Sequence, residues 1–303
     1  MKSACALLCC CLAWLTAQAT GHEAGQHPLL DLARELEAAR APQLQPDFTA
    51  PDLRSAEHAL RQAHPPADAD CARSLGASVF ADLHSELAQA HEARGDFAAA
   101  AQDYRHALAC APRSVRVLNN LAQALFDARD FAGAREYVQR ALAIDPRAVY
   151  LSHLAANIDF IEERWADAVT RFRYAAASEP DRTLAAYMQI MYWLAQRRGG
   201  VPSPELVARR HTDIWPEPLL LYLQDQYTES ELVARVREGE DEYATSGRDE
   251  RLCEALYYVG EAHWAEGRRE LARDYFAAAV NIKLIRFHEH GLAMAEIAKL
   301  RPR

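Results

Sequence analysis

The feature that most constrains this chain is a recurrence at a spacing of 34 residues between residues 81 and 182. Ala100, Ala134 and Ala168 are in step, and so are Ala107, Ala141 and Ala175. Pro112, Pro146 and Pro180 close the copies, and Tyr104, Val138 and Phe172 stand between the alanine registers. Each copy carries a charged residue and an aromatic at its midpoint, as Asp96-Phe97, Asp130-Phe131 and Arg164-Trp165. Small residues at fixed places let two helices cross closely, and the larger side chains fill the space beside the crossing. Proline has no N–H and clashes with the preceding turn, so it ends a helix. One such hairpin cannot bury its apolar face alone; stacked copies can.

A period of this length with two small-residue registers and a closing proline is the tetratricopeptide repeat (TPR) signature. The expected fold is all-α: a TPR helical-hairpin solenoid with N-terminal helices, an atypical helical insert and a C-terminal capping helix. The expected divisions are a signal peptide at 1–19, an N-terminal helical segment at 20–78 and three repeats at 79–182. Atypical helical hairpins follow at 183–252, then a final repeat and cap at 253–303. In that last part Gly260, Gly267, Ala272, Phe276 and Ala279 return to the repeat registers.

The chain opens with Met1-Lys2, an apolar run from Ala4 to Leu15 and the small-residue pattern Ala17-Gln18-Ala19. These read as a secretory leader cleaved before Thr20, and so as export. Leu8 precedes Cys9, and cysteines precede Cys10 and Cys11, so no lipobox is present and lipidation is not expected. Cleavage would start the chain at Thr20-Gly21-His22, a pattern able to bind Cu(II), but one histidine is too little to assign a metal. Formal net charge is −9, with no basic run, which argues against nucleic acid as the main partner.

Three cysteines remain after the leader, Cys71, Cys110 and Cys253. An odd number in an exported protein suggests one pair and one leftover thiol. Cys71 precedes the first helix of repeat one and Cys110 ends its second. Antiparallel helices bring those two ends together, so a Cys71–Cys110 disulfide is expected.

Leu29, Leu32 and Leu36 mark one amphipathic helix, and Leu53, Ala56 and Leu60 another. A proline-punctuated linker lies between them at 41–50. These stripes are too small for a domain, so they pack on the repeats, on each other or on a second subunit; self-association as a homodimer is the expectation, with docking on repeat one the near alternative. In the insert, residues 183–197 are apolar and aromatic and stop at Gly199-Gly200. Ser203-Pro204-Glu205 opens a further helix, and Thr228-x-x-Glu231 is a capping box.

The block from Cys253 to Gly260, with Gly267, Ala272, Phe276 and Ala279-Val280, then Phe287-His288-Glu289-His290, Ala293 and Glu296, resembles the end of the NlpI family of periplasmic TPR lipoproteins. The segment 215–232 resembles that family's middle region. The resemblance implies an all-helical homodimer without catalysis, acting as an adaptor for peptidoglycan hydrolases and for a tail-specific protease that degrades them. The missing lipobox departs from the family and removes the expected outer-membrane anchor.

No catalytic motif competes with this reading. His91-Glu92 is not followed by a second histidine at metalloprotease spacing, and no G-x-S-x-G, P-loop or G-x-G-x-x-G occurs. No cofactor is expected. In TPR geometry the first helix of each repeat lines a concave groove through its positions 2, 5, 9 and 12. These fall on Asp82, Ser85, Gln89 and Glu92, then Arg116, Asn119, Gln123 and Phe126, then Tyr150, His153, Asn157 and Phe160. In the third copy the apolar stripe Leu151, Leu154, Ala155, Ile158 and Ile161 is shifted from the ordinary phase. Amides can satisfy a peptide backbone and aromatics can hold its side chains, so the groove from Arg116 to Phe160 is the expected partner site. Two other readings compete: a scaffold for secretion or envelope assembly, and an enzyme that uses the insert as a lid.

Overall fold

The computed structural model of this protein describes residues 27–39, 53–63, 67–200, 214–238, 247–284 and 288–300. The leader, the Thr20 start, the 41–50 linker and the helix expected from Ser203 lie outside the described residues. The chain is a TPR solenoid, and no strand occurs among the described residues.

Two helices, α1 (Pro28–Ala39) and α2 (Leu53–Ala63), and a single turn α3 (Asp68–Cys71) come first. Three hairpins follow: α4 (Ala77–Ala93) with α5 (Phe97–Cys110), α6 (Val115–Asp127) with α7 (Phe131–Ile144), and α8 (Val149–Ile161) with α9 (Trp165–Ser178). The long α10 (Arg182–Gly199) packs on α9 as the next first helix would. The next described elements are two short helices, α11 (Glu217–Leu223) and α12 (Glu229–Arg237). A fourth hairpin, α13 (Arg248–Ala265) with α14 (Arg269–Asn281), and the terminal α15 (His288–Lys299) complete the chain.

The turn inside each hairpin has one recipe. The residue before the second helix's cap is left-handed: Gly95 at φ 74°, Arg129 at 64°, Glu163 at 59° and Gly267 at 82°. The Asp96 side chain then accepts from Ala99 N at 3.1 Å, and Asp130 from Gly133 N at 3.0 Å. Both satisfy an N–H that the first helical turn leaves free. The second helices stop two residues before Pro112, Pro146 and Pro180.

The registers seen in the sequence all point inward. Ala100, Ala107, Ala134, Ala141, Ala168 and Ala175 are fully buried, with Tyr104, Val138 and Phe172 between them. Gly260 is small for the same reason: a Cβ there would stand 2.8 Å from Cε1 of Phe276 on α14. Gly200 is left-handed at φ 63° and caps α10, as its position in the sequence suggests. The Thr228 capping box is formed: Glu231 N donates to Thr228 Oγ1 at 3.2 Å and Thr228 N to Glu231 Oε2 at 2.7 Å. Cys71 and Cys110 are joined by a disulfide, and Cys253 is a buried free thiol.

The N-terminal helices pack on the repeats, one of the covers expected, but α1 does so at an unexpected place. The Leu29–Leu32 stripe does not stand free, and α1 does not dock on repeat one. It packs against α12, α13 and α14, and Leu29, Leu30 and Leu32 are buried there. Glu229 pins it by accepting from Leu29 N at 2.8 Å and from the Tyr275 hydroxyl at 2.6 Å. The physical reason is a ready-made slot: the short α12 leaves one flank of the fourth hairpin uncovered, and the leucine stripe fills it. The second helix, α2, does pack on repeat one through α4.

Candidate functional site

Arg116 pairs with Asp82 at 2.6 Å, so equivalent positions of successive first helices face each other as the groove reading requires. Ser85 turns away: its hydroxyl donates to Ala81 O of its own helix at 2.7 Å. Glu92 accepts from the Tyr104 hydroxyl at 3.1 Å and is thereby tied to the hairpin's interior.

Five of the eight groove residues come together in one cavity of about 350 Å³: Asn119 and Gln123 from α6, and Tyr150, His153 and Asn157 from α8. Arg116 stands on the same helix as Asn119 but outside the cavity lining. Two expected groove residues are not groove surface. Phe160 is 0% exposed, edge-on to Trp165 at 5.3 Å and to Phe172 at 6.5 Å. The shifted stripe turns it into the hairpin interior, where Arg198 also lies over its ring at 5.8 Å. Phe126 is 4% exposed and stacks on His288 of the terminal helix at 5.4 Å.

That stack marks the feature sequence reading missed. The terminal helix caps the stack against α13 and α14 and also reaches back into the concave side. His288, Glu289 and Leu292 of α15 form one wall of the cavity; Leu184, Tyr187, Met188 and Met191 of α10 and Glu254 and Tyr258 of α13 form others. The groove thus becomes a pocket closed by the chain's own end.

The floor is unusually polar for its depth. Glu254 Oε2 accepts from the Tyr187 hydroxyl at 2.6 Å and from the Trp215 indole N–H. Glu289 Oε1 accepts from the Tyr258 hydroxyl at 2.8 Å. Burial, with Glu289 alongside, pushes the Glu254 carboxyl up to about 8. Burial, with His288 facing it, pulls His153 down to about 4, so that imidazole is neutral at ordinary pH. Asn157 is 2% exposed; its Nδ2 lies 3.4 Å from His153 Nε2, while its Oδ1 has no partner among the described residues.

Beneath this pocket α15 is held by a second acidic pair. The Arg198 guanidinium, sandwiched over the Trp264 ring at 3.8 Å, bonds Glu261 and lies 3.7 Å from Glu296. Lys299 adds a contact to Glu296 at 2.8 Å. Glu254 and Glu261 are seven residues apart on α13, as are Glu289 and Glu296 on α15, so each pair lies on one helix face. Two acids in the otherwise apolar Cys253–Ala262 run were the available signal. Further out, Asp159 is fully buried under Arg135 at 2.8 Å, Arg171 at 2.9 Å and Arg164 at 3.2 Å, which locks the second hairpin to the third.

No His, Cys, Asp and Glu cluster among the described residues could hold a metal ion, and no described helix is long and apolar enough to cross a membrane. The family model described as Tetratricopeptide repeat matches residues 85–149. No curated protein matches the chain. Among solved structures it is similar to a MamA protein, at 16% identity and a TM-score of 0.38, over 67% of this chain and 92% of that one. It is similar also to PilF of Pseudomonas aeruginosa, at 15% identity and a TM-score of 0.41, over 90% of this chain and 98% of that one.

Proposed function

We propose that this chain is an exported, non-catalytic TPR adaptor that holds a segment of a partner protein in the pocket between its repeats and its terminal helix. The observation that carries this is the convergence of Asn119, Gln123, Tyr150, His153 and Asn157 on one cavity. Repeats of this kind serve as protein-binding scaffolds, and amides beside half-exposed aromatics suit a peptide. The resemblance of the C-terminal block to the NlpI family supports peptidoglycan hydrolases and a tail-specific protease as the partners. The leader pattern and the Cys71–Cys110 disulfide support an oxidising, periplasmic setting.

The test is capture from envelope extract of the native host, with partners identified by mass spectrometry. Tyr150 is 49% exposed, and Asn119 bonds its neighbour Asn120 alone among the described residues, so replacing both with alanine is expected to leave the core intact. The double variant is expected to keep its melting temperature and lose capture of a hydrolase or the protease by more than tenfold, about 1.4 kcal/mol. Undiminished capture would place partner binding on another face.

A further inference from the structure

We propose that the pocket is selective for a basic side chain, lysine or arginine, presented by an extended peptide. This rests on the groove reading above and narrows it to a ligand chemistry.

Three observations converge. The first is the chemistry of the floor. Glu254 and Glu289 bring two carboxylates from different helices to one cavity, and each is held by tyrosine or tryptophan donors through one oxygen. Both residues line the cavity, and each has a second carboxyl oxygen beyond the one these donors reach. The second is Asn157. Its Oδ1 is a buried acceptor with no partner among the described residues, on a side chain that lines the same space. A buried polar atom left unpaired is costly, which marks a place where a donor from outside is wanted. Carboxylate and amide acceptors gathered at one place favour a ligand rich in N–H groups, even with the amides of Asn119 and Gln123 and the imidazoles of His153 and His288 in the same lining. An ammonium or guanidinium provides three to five N–H groups and carries the charge that two carboxylates require.

The third is the wall above the floor. Leu154, Met188, Met191 and Leu292 line the cavity, which suits the unbranched hydrocarbon stem of lysine or arginine. Methionine adapts to such a stem better than branched residues do. Tyr187 and Tyr258 also line the cavity, and aromatic rings near a cation favour it. At the mouth stand Tyr150 and Leu184, each 49% exposed. Exposed apolar residues at the rim have no use for a free amine and do suit the residues flanking a basic side chain, so the occupant is a peptide. A volume of about 350 Å³ fits one long side chain with a little of its backbone, near the lower end of ordinary ligand sites. Without a ligand, the proton that burial and Glu289 keep on Glu254 relieves the repulsion between the two acids. An incoming ammonium takes over that role and releases the proton.

The probes are four peptides, acetyl-Ala-Ala-Xaa-Ala-Ala-amide with Xaa lysine, arginine, norleucine or glutamate. They are titrated into the full chain by calorimetry, beside Glu254→Gln/Glu289→Gln and Asn157→Leu. Glutamine still accepts from Tyr187, Trp215 and Tyr258, and leucine removes an unpaired acceptor at similar volume, so both variants are expected to fold; circular dichroism melts confirm it. Lysine and arginine peptides are expected to bind at least about tenfold tighter than norleucine, with glutamate weakest. That preference is expected to vanish in the double variant and to weaken in Asn157→Leu. Equal binding of the lysine and norleucine peptides overturns this inference and leaves the groove reading standing. A lysine preference that survives in the folded double variant also overturns it. Failure of all four peptides to bind overturns it too, whereas failure of hydrolase capture in the alanine test overturns the groove reading itself.

Discussion

The rings of Phe126 and His288 lie face to face, 5.4 Å apart and 13° from parallel, although 162 residues of chain separate them. One belongs to the last turn of α6 and the other to the first turn of α15. Their contact is where the terminal helix closes one end of the concave surface, and it gives Phe126 a structural role in place of the open groove role its repeat position implies.

Phe126→Ala is therefore expected to damage the fold. Removing a buried phenylalanine costs about 3–5 kcal/mol. Urea titration followed by circular dichroism should show that loss, while Tyr150→Ala stays near wild type. A Phe126→Ala protein as stable as wild type would mean that the stack with His288 contributes little.

Glycines 260 and 291 should respond to alanine in opposite directions. At Gly260 the added methyl meets the ring of Phe276 at 2.8 Å and Tyr275 Cβ at 3.2 Å, and both side chains are fully buried. Overpacking of this kind costs about 1–3 kcal/mol. At Gly291, within α15, nothing among the described residues stands within 4 Å, so alanine should gain about 0.5–1 kcal/mol of helix propensity. Melting curves of the two variants check both signs.

The disulfide closes a loop of 39 residues between Cys71 and Cys110. The chain-entropy account assigns it about 4 kcal/mol. It ties the turn before repeat one to the end of α5, where its own small cluster with Ala81 is separate from the main core. Cys71→Ser/Cys110→Ser, or reduction of the wild-type protein, is expected to lower the melting temperature and to loosen repeat one first in hydrogen exchange. Free thiols at both positions in non-reducing peptide maps would remove the premise.

Stability should fall as pH rises above neutrality. Glu254, Glu261 and Glu296 are all pushed upward, in each case chiefly by burial. A raised carboxyl binds its proton in the folded state where the unfolded chain has already lost it, so folding weakens as pH climbs toward the folded value. For Glu254 that loss runs up to about 8. His153 acts on the acid side: its lowered value costs stability as pH falls below its ordinary 6.5 toward about 4. Between 6.5 and about 8 the raised carboxylates set the slope, and thermal unfolding should come earlier as pH climbs through that range. Glu254→Gln should flatten the slope. A melting temperature that holds constant or rises over that range would contradict the assignment.

The repeats were legible because their physics is local. Ala100 and Ala107, the Asp96 cap and Pro112 each act within a few residues, and each sits where the period put it. The Cys71–Cys110 bridge followed from the antiparallel hairpin alone. The pocket was half legible: Asn119, Gln123, Tyr150, His153 and Asn157 were placed by repeat position. Its other walls come from contacts such as Tyr187 with Glu254, 67 residues apart, which no periodicity encodes. Phe160 was misplaced because repeat position assumes a standard phase, while the apolar stripe of α8 had already shifted. The site of α1 was equally hidden, since an amphipathic stripe states that it needs a cover without stating which.

The bond from Leu29 N to Glu229 spans 200 residues and bears on the order of assembly. Hairpins of a solenoid can form one after another from contacts close in the chain, which is quick. The slot for α1 is built from α12, α13 and α14, so it exists only once the chain has reached Asn281. Closing so long a loop is entropically expensive and waits on the stable body that repays it. In a chain that emerges amino end first, the earliest of the described helices is among the last to settle, and its leucines stay uncovered through nearly the whole of synthesis.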